Sequence, residues 1–216
     1  MKTFQYSILL ICMLLVYNVK AQELAIMDAK PVVVNTTEKE NTSSPFLFDE
    51  YYTGSVTGKG GQVVDGVSYR FNTVANNLEF KHADSLFISG SEVTGFTLPT
   101  GTALYYFQRG FPAVGPLTNQ TFYQVVYDGN VKLLKHFSPS KTDKPILENG
   151  ALFILKDKKL NPVSLANRNS FLKLLSDERN KMNYIIKESQ LDFDKDEDLA
   201  ILMQEYDAYK AGRGGN

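Results

Sequence analysis

Phe122-Tyr123-Gln124-Val125-Val126-Tyr127-Asp128-Gly129-Asn130-Val131-Lys132-Leu133-Leu134-Lys135-His136-Phe137 is the stretch whose reading decides the fold. Two runs rich in aromatic and β-branched residues flank Asp128-Gly129. A two-residue type I′ turn needs positive φ at both central positions, and Asp-Gly tolerates this better than most pairs. The stretch predicts an antiparallel hairpin with 122–127 and 131–137 as partners.

Working outward, the same signal recurs at short spacing. Val67, Tyr69 and Phe71 alternate with Ser68 and Arg70, and Leu78 and Phe80 alternate with Glu79 and Lys81 across an Asn76-Asn77 turn. Leu86-Phe87-Ile88, Val93-Thr94-Gly95-Phe96-Thr97-Leu98 and Leu152-Phe153-Ile154-Leu155 add further strands. Ala103-Leu104-Tyr105-Tyr106-Phe107 is apolar on both faces, which places it centrally or between two layers. Strands at meander spacing without intervening helices predict an antiparallel β domain over 45–163, closed as a barrel or packed as a sandwich.

After about residue 164 the period becomes helical. Phe171, Leu172, Leu174 and Leu175 cluster, Met182, Ile185 and Ile186 form a stripe, and Leu199, Leu202, Met203 and Tyr206 form another. Ser176 reads as an N-cap with Asp177 and Glu178 in a first turn, and Asp194 with Glu197 has capping-box spacing. The expected class is thus α+β: an antiparallel sheet domain, then a helical subdomain over 164–210 and a tail over 211–216.

The start of the chain reads differently. Met1-Lys2 precedes the apolar run Ile8-Leu9-Leu10-Ile11-Cys12-Met13-Leu14-Leu15-Val16, and Val19-Lys20-Ala21 offers a small-residue cleavage site before Gln22. This is the pattern of an export signal over 1–21, too short to span a bilayer. Cys12 is the single cysteine of the chain, so the exported remainder is thiol-free. Ile11, standing where a lipoprotein signal carries a small residue, removes Cys12 as a lipid anchor. Residues 22–44 read as a leader, with a short edge strand at Pro31-Val32-Val33-Val34 and then a polar linker.

Charge and motifs exclude several chemistries. The formal net charge is −1, and setting aside the two lysines of 1–21 moves it to −3, without the basic stripe of a nucleic-acid binder. Only His82 and His136 are present, too few for a histidine-rich zinc shell. Gly66-Val67-Ser68-Tyr69-Arg70 lacks the final glycine of a nucleophile elbow and lies inside strand alternation. Gly54-Ser55-Val56-Thr57-Gly58-Lys59-Gly60 has its glycines one residue too close for a phosphate loop, and Gly58-Lys59-Gly60-Gly61 reads as a hairpin turn. The alternating Asp192, Asp194, Asp196 and Asp198 fail as a calcium loop at Glu197 and Met203. No cofactor motif remains. The best candidate contacts are Arg109 and Phe111, where the aromatic strand runs into the Gly/Pro-rich loop 110–120, since arginine and aromatics concentrate at binding hot spots. The expected partner is a protein or a small ligand.

The order of parts resembles that of a group of exported Bacteroidetes proteins. In that group a segment like Phe46-Leu47-Phe48-Asp49-Glu50-Tyr51-Tyr52-Thr53-Gly54-Ser55-Val56 opens a β region. A hairpin like that at Asp128-Gly129 lies in its second half, and a helical end with an acidic start like Asp196-Glu197-Asp198-Leu199 closes it. The resemblance implies compartment and architecture, and carries no activity or site. The functional expectation is an exported, non-catalytic binding or structural protein. The rivals are a hydrolase with carboxylate or serine chemistry and an envelope assembly factor.

Overall fold

A computed structural model describes residues 28–32, 44–82, 85–138, 150–164 and 168–212. The export run and the rest of 1–27, Val33-Val34, the linker 35–44 except Ser44, and 213–216 of the tail lie outside the described residues. Eleven strands form one antiparallel sheet. They are β1 (Lys30–Pro31), β2 (Tyr52–Gly58), β3 (Val63–Asn72), β4 (Asn77–His82), β5 (Ser85–Ile88), β6 (Val93–Pro99), β7 (Leu104–Gln108), β8 (Tyr123–Asp128), β9 (Lys132–His136), β10 (Ala151–Lys156) and β11 (Lys159–Val163). Three helices follow, α1 (Arg168–Leu174), α2 (Arg179–Glu188) and α3 (Asp196–Lys210), with a 3-10 turn at Ser176–Glu178 before α2. The α+β class and the β-dominated architecture are those read from the sequence. Among the described residues no helix is long and apolar enough to cross a membrane.

The strand order is β1-β5-β4-β3-β2-β6-β7-β8-β9-β10-β11. The chain therefore meanders from β2 to β5, then returns to pair β6 with the free side of β2. Only residues 89–92 make that return. Five Cα steps reach about 17 Å at full extension, whereas four strand spacings in a flat sheet need about 19 Å. The sheet must curl, and it curls around an aromatic core of Tyr69, Phe71, Phe96, Phe107, Phe122 and Phe137. Phe96 and Phe107 stack at 4.7 Å, with Phe122 edge-on to Phe96 at 5.1 Å. The sheet stays open, so neither of the two closures expected from the strand count, barrel or two-sheet sandwich, is found.

The second half of the sheet is covered differently. On one face Leu133, Leu152 and Ile154 meet Phe171, Leu172, Leu175, Met182, Ile186, Leu199, Leu202, Met203 and Tyr206 from the helices. Both helical stripes read from the sequence are turned into this second core. On the other face Tyr123, Leu134, Phe153 and Leu160 pack under Phe111. β7 is central in strand order, as expected, but its outer face is not covered throughout: Leu104 is 68 % and Tyr106 39 % exposed.

Local capping departs from expectation. α2 starts after Glu178 and α3 after Lys195, and neither has a side-chain cap. Ser176 and Asp177 instead occupy the 3-10 turn, and the Asp194 amide donates to Asp192 Oδ1 rather than joining a capping box. The β8–β9 turn has no positive φ, so it is not type I′. The two-residue turn with both φ positive is Asp157-Lys158, joining β10 to β11 through the Lys156↔Lys159 pair. The leader contributes β1, which pairs with β5, and Val32 donates to the Leu86 carbonyl at 2.8 Å.

Candidate functional site

Where the turns of β8–β9 and β10–β11 meet the helices, a cleft of about 490 Å³ opens, lined in part by Lys156, Asp157, Asp177, Tyr206, Asp207 and Lys210. The groups arrive on three supports. Lys156 ends β10 just before the tight Asp157-Lys158 turn. Asp177 sits in the 3-10 turn, which throws its carboxylate toward the sheet. Tyr206 and Lys210, four residues apart on α3, share one helix face.

These groups close a circuit around Asp177. Lys156 Nζ donates to Asp177 Oδ1 at 2.9 Å and to the Leu174 carbonyl at 2.8 Å. Lys210 Nζ lies 3.0 Å from Oδ2, and the Tyr206 hydroxyl donates to the same oxygen at 2.8 Å. The Lys156 ammonium also stands 4.9 Å over the Tyr206 ring. Burial opposes the charge of Asp177, but the donors from Lys156, Lys210 and Tyr206 outweigh it and hold the carboxyl well below its usual range. Burial likewise opposes the Lys156 charge, and Tyr206 and Asp177 overcome it, raising the ammonium. The hydrogen bond to Asp177 raises Lys210, and burial raises the Tyr206 phenol. Every shift moves the pKa further from pH 7, so the lysines stay charged, the phenol stays protonated and the carboxylate stays ionised. General acid-base catalysis wants the opposite, a group whose pKa lies near the working pH.

The floor of the cleft is a second carboxylate with another task. Asp207, 8 % exposed, accepts the Asn130 amide at 2.7 Å on Oδ2 and the Val131 amide at 3.3 Å on Oδ1. The Tyr127 hydroxyl donates to Oδ2 at 3.1 Å. Burial, then this hydrogen bond, pushes the Tyr127 phenol up to about 12. Asp207 thus caps the β8–β9 turn from the last helix. A Cβ at Gly129 would overlap both the Asp207 carboxylate and the Tyr127 hydroxyl. Glycine is required there by close approach, not by a left-handed backbone.

Arg109 and Phe111 are not brought into this cleft. Phe111 is 7 % exposed and meets Tyr123 edge-on at 5.7 Å, as the central apolar contact of a strap formed by 110–121. Gly110 at φ 100° starts the strap, its amide bonded to the Asn119 carbonyl at 2.8 Å, and Val114 and Leu117 bridge it. Arg109 donates to the Gly90 carbonyl at 3.3 Å and lies 4.8 Å over Phe122. Burial lowers its pKa, with Glu92 opposing. Both side chains are engaged within the fold. His136 lies on β9 beside Tyr123 at 5.7 Å and is pushed down by burial. Among the described residues no group of three or more potential ligands stands ready for a metal.

The sequence reading missed Lys156, Asp177, Asp207 and Lys210 because their association spans three elements. One signal was available: Asp207 falls four residues after Met203, on the buried stripe of α3, where a charge needs a reason.

The fold and cleft define an open, curled antiparallel sheet backed by a small helical end, with a charge circuit at their junction. No protein-family model matches the chain, and no curated protein or solved structure matches it.

Proposed function

We propose that the protein is an exported, non-catalytic binding or structural protein acting in the periplasm, at the cell surface or outside the cell. Export is inferred from the apolar run 8–16 and the small-residue site ending at Ala21. The observation that carries the non-catalytic part is the saturation of Asp177: Lys156, Lys210 and Tyr206 take both carboxylate oxygens. A carboxylate so committed is a poor base and a poor nucleophile, and the same contacts make the cleft a rigid, charged recess suited to holding a partner. That supports this reading over a hydrolase built on Asp177.

N-terminal sequencing of protein recovered from the envelope or the medium tests the first part. The chain should begin at Gln22 or within a residue or two, and a cytosolic product keeping Met1 would overturn export. A panel of ester, peptide, phosphate and glycoside substrates tests the second. No turnover is expected, and turnover lost in Asp177→Asn would sink the non-catalytic reading.

A further inference from the structure

The inner face of the sheet changes partners at β7 and β8, where the aromatic core gives way to the helical one. These two strands pair only at Phe107↔Gln124 and Gln108↔Tyr123. The first residues of β7 therefore diverge from β8 and leave a seam. Alternate residues of a strand share a face, and paired residues stand side by side. Tyr105 thus shares its face with Phe107, Gln124 and Lys135.

Aromatic rings line one side of the seam. Phe48 lies 5.6 Å from Tyr105 with the rings inclined at 55°, and 5.4 Å from Tyr52 at 73°. All three are only half-buried, and their rings are inclined to one another rather than stacked flat. The first turn of α3 lines the other side. Asp196 takes the Lys135 ammonium at 2.8 Å, while Glu197 is exposed and has no ion pair among the described residues. Burial, then the charges of Asp196 and Glu197, raise the Tyr105 phenol. Between the two sides, Gln124 Oε1 is buried and lacks a donor among the described residues.

What the seam leaves uncommitted is uniform in character. Among the described residues Lys135 is its one cation, and Asp196 neutralises it. The remaining groups are the Glu197 carboxylate, the Gln124 oxygen and the ring faces. A buried acceptor without a donor calls for one, and the negative face of an aromatic ring attracts cations. A neutral acceptor-rich ligand would meet like against like.

We propose that this seam binds an organic cation carrying N–H donors, an alkylammonium or guanidinium group. It is presented either as a free amine or as a lysine or arginine side chain of a partner protein. The ammonium or guanidinium sits against the inclined rings, donates to Gln124 Oε1 and is balanced by Glu197. The site is separate from the Asp177 cleft, and titration of the purified protein bears on it alone, whatever the outcome for export or catalysis.

The test is titration of the purified chain with n-butylammonium, n-butylguanidinium and a blocked lysine- and arginine-containing peptide, followed by two-dimensional NMR. Methyl glucoside serves as the neutral, hydroxyl-rich control. Saturable shifts at Tyr105 and Gln124 are expected with the cations, weakening as salt rises. Affinity should fall at least about tenfold, a loss of about 1.4 kcal/mol, in both Tyr105→Leu and Glu197→Gln. Glu197 is exposed, so that variant stays informative if the tyrosine variant fails to fold. Tighter binding of the peptide than of the amines assigns the cation to a partner's side chain, and equal binding assigns it to a free amine. Absence of saturable shifts with every cation, shifts indifferent to Glu197→Gln, or equal response to methyl glucoside would each overturn the proposal.

Discussion

Asp207→Ala removes the acceptor on which the β8–β9 turn is built. Three donors lose their partner: the amides of Asn130 and Val131 and the Tyr127 hydroxyl. Their costs differ. The Asn130 amide makes the shortest bond, at 2.7 Å, but the residue is exposed and water replaces much of what is lost. Val131 is 4 % exposed, so its amide stays buried and unpaired. A buried orphan donor costs about 1–3 kcal/mol, and loss of a bond to a charged group about 1.5–3 before water compensates. Together these give about 2–4 kcal/mol, which for a chain of this size lowers Tm by roughly 4–16 °C. Asp207→Asn keeps one carboxyl-type oxygen and should lose about half as much. Thermal unfolding followed by far-UV circular dichroism measures both variants, and hydrogen exchange at the Val131 amide localises the effect. An Asp207→Ala protein melting within about 2 °C of the parent, with Val131 equally protected, would refute the idea that α3 caps this turn.

Gly129→Ala should destabilise the parent by about 1–3 kcal/mol through overpacking, and by less in the Asp207→Ala background, where one of the two clashing groups is gone; equal losses in both backgrounds would show that crowding by Asp207 is not the cause. His136 is half-buried with its pKa lowered by desolvation, so the unfolded chain binds the proton first. Stability should therefore decline as pH falls below about 6.5, and His136→Phe should flatten the urea-midpoint profile between pH 7 and 5. Asp177, held below its usual range, stabilises above about pH 4 and loses that contribution as pH falls further; acid titration should show a shallower loss in Asp177→Asn. Phe111→Ala empties the centre of the strap contact and should cost about 3–5 kcal/mol, with limited proteolysis now cutting within 110–121.

Local pattern carried the strands and helices because alternation and 3.6-residue stripes are short-range. Val67, Tyr69 and Phe71 alternate because one face of β3 is core, and Met182 with Ile186 recurs because one side of α2 is buried. What escaped was set at long range. The return of β6 to β2 is dictated by a short link across a curled sheet, and alternation within either strand is blind to its neighbour. The Asp128-Gly129 turn was placed in sequence but misread in cause: the glycine answers to a carboxylate 78 positions further on, not to a positive φ. Conversely, Asp157-Lys158 adopts two positive φ values without glycine, because the β10–β11 register leaves only two residues to turn. Lys156, Asp177 and Lys210 each look like an ordinary surface charge until three elements bring them together.

The cap provided by Asp207 also bears on the order in which the chain becomes native during synthesis. A ribosome releases 122–137 long before residue 207, so the hairpin waits with two amides unanswered while some seventy further residues appear. Its turn is finished by Asp207, on the last described helix. A chain stalled or clipped ahead of Met203 would lack that acceptor together with the helix that buries Leu133 and Val131. The middle of the sheet is thus completed by the last of the described helices, which ties the native state of the hairpin to the appearance of α3 rather than to its own synthesis.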